Sequence, residues 1–450
     1  MVVTSVLLSF RVANHRSIRE EQQLRLAPVY EADRPEGTVR EAVPVAAIFG
    51  ANAAGKSNVV DALQFMADMV RSSHRDAEPG GGIQHFPFAL DPDGFDEPSW
   101  YVVDLLLDGV RHTYGFSIDN DQVLDEWLYS YPHGRKRMVF QRSGEDIAFG
   151  DSLPKRELEL VKNITEANIL FLSVAARSKQ MAVLPVYFWF QDALAFRSGG
   201  RRARASVESL RLLRDRERAP AVVELLRAAD LGIENVGVER AEAGDPYGTS
   251  VVIRRNKPQA LPDQDSLFEA EAAAQKPTAT RSAMRVWVEQ RGRKGVMRLG
   301  LHEQSEGTRM LLEYAAPVLR TLDLGGTLIV DEVDSSLHPR LTAHLIRLFQ
   351  DPATNRHGAQ LLLTTHDASL LGRSGGEDIL KRDQVWFVEK DEYGETALFP
   401  LSDFKPRQEE NRERRYLGGS YGAVPFLSDE RFEAAVAARG RASRDEGTKE

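Results

Sequence analysis

Segments in the first third of the chain show the residue patterns of β-strands. Residues 100–107 and 111–118 are two such segments, separated by Asp108 and Gly109, a pair that favours a tight turn. We therefore predict that they form an antiparallel hairpin. Residues 6–12 and 23–26 predict two more strands, joined by a turn-rich segment at residues 14–17.

A different pattern follows at residues 45–49, which form an uninterrupted apolar run ending in Gly50. Such a run is typical of a parallel strand that is buried on both faces. A helix should come next, because apolar residues recur at helical spacing at Val59, Leu63, Met66 and Val70. The order of these elements is strand, short glycine-containing loop, helix.

The middle of the chain predicts two helices, at residues 207–213 and 221–228, and short strands at residues 236–238 and 250–254. Residues 256–282 are rich in proline, glutamine, alanine and acidic residues, so we expect a mobile loop there. Apolar patterning resumes at residues 284–288.

The last portion of the chain alternates between the two kinds of element. Residues 327–330 predict a strand, residues 339–349 a helix and residues 361–365 another strand. A strand–helix–strand order predicts a parallel sheet.

Composition narrows the possible classes of protein. The chain has 450 residues and 42% hydrophobic content, enough for a large core in one or two domains. It contains no cysteine, which excludes disulfides and thiolate metal sites, and its net charge of -9 argues against general nucleic-acid binding. Neither a signal peptide nor a membrane-spanning stretch is predicted. We expect a cytoplasmic protein without a membrane partner.

The loop between the predicted strand and helix at residues 45–70 matches the P-loop pattern in full, with Gly50, Gly55, Lys56 and Ser57 at the defining positions. Glycines let backbone N–H groups close around phosphate oxygens, and the start of the helix favours negative charge. Lys56 should reach the β- and γ-phosphates of ATP, and Ser57 should hold Mg²⁺. The predicted nucleotide-binding residues are Gly50, Ala51, Asn52, Ala53, Ala54, Gly55, Lys56, Ser57 and Asn58.

The predicted strand at residues 327–330 ends in Asp331 and Glu332. A buried strand tolerates acids only where a cation or solvent meets them. Asp331 should therefore bind Mg²⁺, and Glu332 is placed to orient or deprotonate the attacking water. The alternative is a strand that simply leaves the core for solvent, which the P-loop in the same chain makes less favourable.

Two further features are weak on their own. Ser305 and Gly307 precede an apolar helix, so they fit either an anion site or a plain helix cap. His366 follows a predicted strand, where a histidine is usually structural. The order of the motifs adds weight to both: P-loop, Ser-x-Gly helix, Asp-Glu strand, residues 334–338 and then Thr365-His366.

In this order of motifs the chain resembles the ABC-type ATPases, in the branch that includes SMC, RecF and OLD proteins. It is most similar to the compact ATPases of bacterial antiphage and abortive-infection systems. The blocks that carry the resemblance are residues 14–18, 50–57, 305–308, 328–338, 362–367 and 417–425. Residues 200–285 match nothing in that group. The segment at residues 303–307 differs from the Leu-Ser-Gly-Gly-Gln of transporters, which argues against a transporter.

The resemblance implies an α/β fold: an ABC-type P-loop ATPase head with a mixed or parallel sheet, an antiparallel β-subdomain and a helical insertion. It divides the chain at residues 1–200 (first part of the head), 201–283 (insertion), 284–430 (second part of the head) and 431–450 (tail). Two copies would form a homodimer around two ATP molecules, with higher oligomers open.

In that dimer, Ser305 and Gly307 of one subunit would cap the γ-phosphate bound by Lys56 of the other. His366 would contact the γ-phosphate near the attacking water, and the segment at Asp334 would run along the dimer seam. Arg16 and Asn14 would lie close to the nucleotide. The glutamine of the Q-loop has no secure candidate, since Gln84 matches only weakly.

Three functional hypotheses follow. The first is an ATP-gated dimeric switch in an antiphage complex, with a separate effector protein encoded nearby. Residues Asp378, Asp383 and Asp391 lack the arrangement of a TOPRIM nuclease, so we predict no built-in nuclease of that kind. The second is a RecF-like repair ATPase that binds DNA directly, and the third is a nucleotide-bound scaffold with negligible turnover.

A group of arginines clusters around the first predicted helix of the middle segment. It could serve DNA, RNA or an acidic protein, but acidic residues interleave with it and favour a solvated helix face with local ion pairs. The group comprises Arg201, Arg202, Arg204, Arg211, Arg214, Arg216 and Arg218.

Overall fold

The computed structural model describes most of the chain from residue 5 to residue 436. The ranges that it describes are residues 5–31, 41–91, 93–95, 97–151, 153–198, 205–229, 232–242, 244–253, 280–335, 337–407, 410–425, 430–431, 433–434 and 436. Most of the predicted loop, residues 256–279, lies outside them, as do Arg201, Arg202 and Arg204.

In the described part of the chain, a seven-stranded antiparallel sheet has the order β2-β1-β4-β5-β6-β7-β8. Its strands are β1 (Ser5–Ala13), β2 (Gln22–Arg25), β4 (Ser99–Leu107), β5 (Val110–Ile118), β6 (Val123–Tyr131), β7 (Arg137–Ser143) and β8 (Asp146–Phe149). Strands β4 and β5 meet at Asp108 and Gly109, both with positive φ, as the predicted tight turn requires.

The central sheet has six described strands in the order β19-β18-β3-β15-β14-β9, and only β19 runs antiparallel to its neighbour. The strands are β3 (Val45–Gly50), β9 (Leu194–Ser198), β14 (Thr327–Asp331), β15 (Gln360–Thr365), β18 (Val385–Lys390) and β19 (Thr396–Pro400). Every residue of β3 and β15 is buried, because both faces of the sheet are covered. The predicted parallel sheet is confirmed.

Helix α1 (Lys56–Asp76) packs between the two sheets, where Val59, Leu63, Met66 and Val70 are buried. Helices α2 (Lys155–Asn163), α3 (Phe171–Arg177) and α4 (Leu184–Phe188) extend this layer. The opposite face of the central sheet is covered by α7 (Glu306–Leu324), α8 (Pro339–Gln350) and α9 (Arg412–Leu417). The predicted α/β fold class is confirmed.

A third sheet holds β10 (Ile233–Arg240), β11 (Thr249–Ile253), β12 (Thr280–Gly292) and β13 (Gly295–Gly300), with β12 paired to the other three. Helices α5 (Val207–Arg214), α6 (Ala219–Ala229) and α7 share a core with it. The predicted loop at residues 256–282 was wrong at its end: residues 280–282 belong to β12, because they pair with β11. A two-stranded ribbon of β16 (Arg373–Ser374) and β17 (Glu377–Asp378) completes the strands.

None of the described helices has both the length and the apolar character that crossing a bilayer requires.

Candidate nucleotide-binding site

The P-loop connects β3 to α1, and its two glycines lie where a side chain would collide with neighbouring strands. A Cβ on Gly50 would lie 2.5 Å from the carbonyl oxygen of Val388, and a Cβ on Gly55 would lie 2.3 Å from Oγ1 of Thr396. Gly55 also has φ 109, which favours glycine. These contacts seat the loop against β18 and β19 and place the first N–H groups of α1 at the carboxyl end of β3.

Lys56 is 4% exposed and folds back over this loop. Its Nζ donates to the carbonyl oxygens of Gly50 and Ala51 at 2.9 Å each, and to Nδ1 of His366 at 3.1 Å. Burial lowers the pKa of Lys56 to about 8, although the charges of Asp334 and two nearby acids oppose the shift. The ammonium group therefore lies at the centre of the predicted site.

Ser57, Asp331 and Thr364 form a hydrogen-bonded group at the ends of adjacent strands. Ser57 Oγ donates to Oδ1 of Asp331 at 3.2 Å, and Thr364 Oγ1 donates to the same oxygen at 2.5 Å. Thr364 Oγ1 also accepts the backbone N–H of Glu332 at 2.8 Å. Hydroxyl and carboxylate oxygens are the ligands that Mg²⁺ prefers, so Ser57 and Asp331 are a suitable pair for it.

Glu332 lies just past the end of β14, with an exposed side chain and φ 53. A positive φ is uncommon for a residue other than glycine and costs energy, and such residues cluster at functional sites. Beside it, the carboxylate of Asp334 accepts the backbone N–H of His366 at 3.1 Å. This bond joins the turn after β14 to the turn after β15.

These residues surround an open cleft of about 620 Å³, a size typical of sites for small ligands. The structure thus brings together the P-loop, Glu332 and His366, with Asp331 bonded to Ser57 at the wall. The cleft is lined by Asn52, Ala53, Gly55, Lys56, Ser57, Asn58, Glu332, Asp334, Ser335, His366 and Lys390.

Ser305 and Gly307 are not in the lining of this cleft. Ser305 is exposed and caps α7, where its Oγ accepts the N–H of Thr308 at 3.1 Å. Gly307 lies in the first turn of the same helix. Within one chain, the predicted capping residues and the P-loop are therefore separate.

Arg16 is also outside the cleft lining. Its guanidinium group forms an ion pair with Asp61 of α1 and lies 4.4 Å from the ring centre of Phe86. Asn14 is buried, and its amide donates to the carbonyl oxygens of Gly94 and Glu97. Both side chains hold neighbouring segments together.

Three residues at the site were not among its predicted residues, although Ser17 lies in the matching block at residues 14–18. Ser17 Oγ and Thr396 Oγ1 share a hydrogen bond of 2.6 Å, and Thr396 Oγ1 donates to the carbonyl oxygen of Ala54 at 3.0 Å. Ser17 also accepts from the amide of Asn58 at 2.5 Å. Lys390 was missed as well, although an apolar run ending in a charged residue is the same signal that marked Asp331.

The three aspartates considered for a nuclease have bonds elsewhere in the fold. Asp378 pairs with Arg373 and Arg412, both at 2.9 Å. Asp383 accepts two backbone N–H groups near β2, and Asp391 closes the turn between β18 and β19.

The described arginines of the middle segment are largely exposed. Arg211, Arg214 and Arg216 are exposed on and after α5, while Arg218 lies 3.8 Å from Asp323. Glu208, which interleaves with them in sequence, pairs instead with Arg197 and Arg320.

Comparison with known proteins gives a match to a family model. Residues 45–372 match the model of the family described as "AAA domain, putative AbiEii toxin, Type IV TA system". This range contains every residue of the cleft lining except Lys390. Among curated proteins, no match was found.

Solved structures to which the chain is similar include head domains of SMC proteins. The SMC head domain from Thermotoga maritima is 12% identical, with a TM-score of 0.38, over 88% of this chain and 98% of that chain. The Smc head domain with an extended coiled coil from Pyrococcus furiosus, bound to the C-terminal domain of ScpA, is 10% identical, with a TM-score of 0.39, over 89% and 98% of the two chains.

Proposed function

The chain belongs to the AAA-domain family named for the AbiEii toxin of type IV toxin–antitoxin systems, a family of P-loop ATPases, and from this premise we propose that it binds ATP with Mg²⁺ and hydrolyses it as a nucleotide-gated dimer. The observation that supports this most directly is the cleft itself. It brings Lys56, Ser57, Glu332 and His366 together from segments about 300 residues apart in the sequence.

Each group has a distinct task in the proposed reaction. Backbone N–H groups of residues 50–57 and the ammonium of Lys56 bind phosphate oxygens. Ser57 and Asp331 would hold Mg²⁺, which neutralises the charge that builds up on the phosphates. Glu332 orients or deprotonates the attacking water, and His366 contacts the γ-phosphate beside it.

The proposed dimer is supported by the position of Ser305 and Gly307 outside the cleft of their own chain. The exposed Ser305 and the half-buried Gly307, at the start of a 19-residue helix, can bind the γ-phosphate held by a second copy. ATP then binds the closed dimer better than the open one and shifts the population towards it. Hydrolysis removes the γ-phosphate and with it the difference in affinity.

The biological setting that we propose is antiphage defence by abortive infection, with a separate effector protein. The support is the family description, which names a toxin system. Cells carrying the gene with its neighbours should resist phage, and Lys56→Ala should remove the resistance. Equal plaque counts for the wild type and this variant would contradict the setting.

Two substitutions test the ATPase itself. Lys56→Ala should abolish ATP binding, because the phosphates lose their buried cation, whereas Lys155→Ala on the exposed start of α2 should not change it. Glu332→Gln should keep ATP bound but lower turnover by about 100- to 10,000-fold, as loss of a general base does. Titration calorimetry and phosphate release measure the two effects. Normal turnover of Glu332→Gln would rule out the assigned role.

A further inference from the structure

Lys390 lies on the wall of the nucleotide cleft and belongs to no motif of the sequence. It is the last residue of β18, whose Val388 pairs with Gly50 in parallel register. The carboxyl ends of parallel neighbours meet at one edge of a sheet, so Lys390 is carried to the edge from which the P-loop leaves β3.

A second contact sets the position of Lys390 relative to the P-loop. Lys390 pairs with Thr396 across β18 and β19, and residues directly opposite each other in an antiparallel pair share a face. The hydroxyl of Thr396 donates to the carbonyl oxygen of Ala54 at 3.0 Å. The strand pair that carries Lys390 is therefore bonded to the P-loop.

The side chain of Lys390 is exposed, and among the described residues no carboxylate lies within 4 Å of its ammonium group. Its two acidic neighbours in sequence are held elsewhere. Asp391 accepts the N–H groups of Tyr393 and Glu395 at 3.0 and 2.8 Å. Glu389 lies on the opposite face of the strand, against Gly422. The positive charge of Lys390 is thus available to a ligand in the cleft.

The strand order gives the side of the P-loop on which Lys390 lies. In the order β18-β3-β15-β14, Lys390 is on one side of the P-loop strand, and His366 and Asp331 follow the strands on the other side. In the proposed reaction, the γ-phosphate lies near Glu332 and His366, where water attacks. A cation on the far side faces the part of the nucleotide that ATP and ADP share.

Resting on the function proposed above, we infer that Lys390 is a second phosphate-binding cation, which contacts the α/β-phosphate portion of the nucleotide and not the γ-phosphate. It binds the ground state and the transition state equally. Such uniform binding changes KM and leaves kcat unaltered.

The test is a titration of the full-length protein with Mg-ATP and Mg-ADP, together with steady-state turnover. Lys390→Ala and Lys390→Gln should weaken both nucleotides by about tenfold, as loss of one charge-assisted hydrogen bond does, and Lys390→Arg should stay within about twofold. At saturating ATP, kcat should be unchanged. Lys294→Ala, an exposed lysine in the turn between β12 and β13, is the matched control and should behave as the wild type.

Three outcomes would overturn the inference, and they separate it from the proposed function. In the first, Lys390→Ala binds ATP and ADP as the wild type does, while Lys56→Ala loses ATP binding. That result would show that Lys390 does not bind phosphate, and it would leave the proposed ATPase function intact. Weaker binding of ATP with unchanged binding of ADP would place Lys390 at the γ-phosphate. A wild type that binds neither nucleotide would remove both proposals.

Discussion

Lys56 is buried among backbone carbonyls, so its charge is sensitive to pH in a range where most lysines are fully protonated. Its pKa is lowered to about 8, and the protonated form is the one that binds phosphate. Below pH 8 the ammonium is present and ATP affinity should be constant. Above pH 8 the proton is lost, so each further pH unit should lower the affinity for ATP about tenfold.

That dependence can be assigned to Lys56 by calorimetric titrations of Mg-ATP between pH 7 and 10. The phosphates themselves change little there, because their second pKa is about 6. Lys56→Arg should lose the dependence, since a guanidinium group stays charged. A flat profile for the wild-type protein would show that Lys56 keeps its proton.

Thr364 connects both acidic residues of the site, since it donates to the carboxylate of Asp331 and accepts the backbone N–H of Glu332. Thr364→Val removes these bonds and should lower kcat by about tenfold to a hundredfold, the size expected for a hydrogen bond to a charged group. Thr364→Ser keeps the hydroxyl and is the control. Phosphate release at saturating ATP measures kcat for both variants. If Thr364→Val has the same kcat as Thr364→Ser and the wild type, Thr364 has no positioning role.

At the level of single residues, motifs predicted where the P-loop, Asp331, Glu332 and His366 would meet. Thr364 lies inside one of the matching blocks and Lys390 ends an apolar run, but neither pattern assigned them a role. Their importance comes from strand register, which places Thr364 beside Asp331 and Lys390 beside the P-loop. Register between strands far apart in sequence is not written in any local pattern.

At the scale of elements, the hairpin of β18 and β19 supports the P-loop through the hydroxyl of Thr396. Thr396→Val should cost about 1 kcal/mol of unfolding free energy and lower ATP affinity several-fold, because the loop loses its bond to β19. Thr327→Val is a matched control: Thr327 is also buried and hydrogen-bonded, but at the opposite end of the central sheet.

Urea denaturation and ATP titration of both variants would separate stability from binding. Similar losses of unfolding free energy, with weaker ATP only in Thr396→Val, are the expected result. If both variants bind ATP as the wild type does, the hairpin does not shape the loop.

Elements with a strong local apolar pattern could be predicted from sequence, and β3, α1, β14, α8 and β15 lie where their patterns placed them. The start of β12 could not. Residues 280–282 lack apolar alternation, and they become strand because β11 offers them backbone partners. Tertiary pairing there overrides local preference.

At the scale of the whole molecule, the proposed dimer depends on Ser305, which caps α7 and is outside its own cleft. Ser206 is a close match, since each serine accepts an N–H three residues on at 3.1 Å. Ser305→Ala and Ser206→Ala should therefore cost a similar amount of stability, about 1 kcal/mol. Only Ser305→Ala should also weaken the dimer.

The measurement is light scattering of the Glu332→Gln protein with Mg-ATP over a range of concentrations. Adding Ser305→Ala should raise the concentration at the monomer–dimer midpoint by at least about tenfold, because each γ-phosphate loses a charge-assisted bond. Adding Ser206→Ala should leave the midpoint in place. A midpoint that moves equally with Ser305→Ala and with Ser206→Ala would count against a nucleotide site shared between two subunits.

The central sheet also has a consequence for synthesis. Its middle strand, β3, is made early, but β15, β14, β18 and β19 come from the last third of the chain. About 340 residues separate Ser57 from Thr396, so a ribosome working at roughly 5–20 residues per second needs on the order of 20–70 seconds between them. A nascent chain stalled early in that interval holds a P-loop without β15 and β18, the strands that flank β3 in the sheet. Translation interrupted before Thr396 would therefore release fragments that lack part of the nucleotide site.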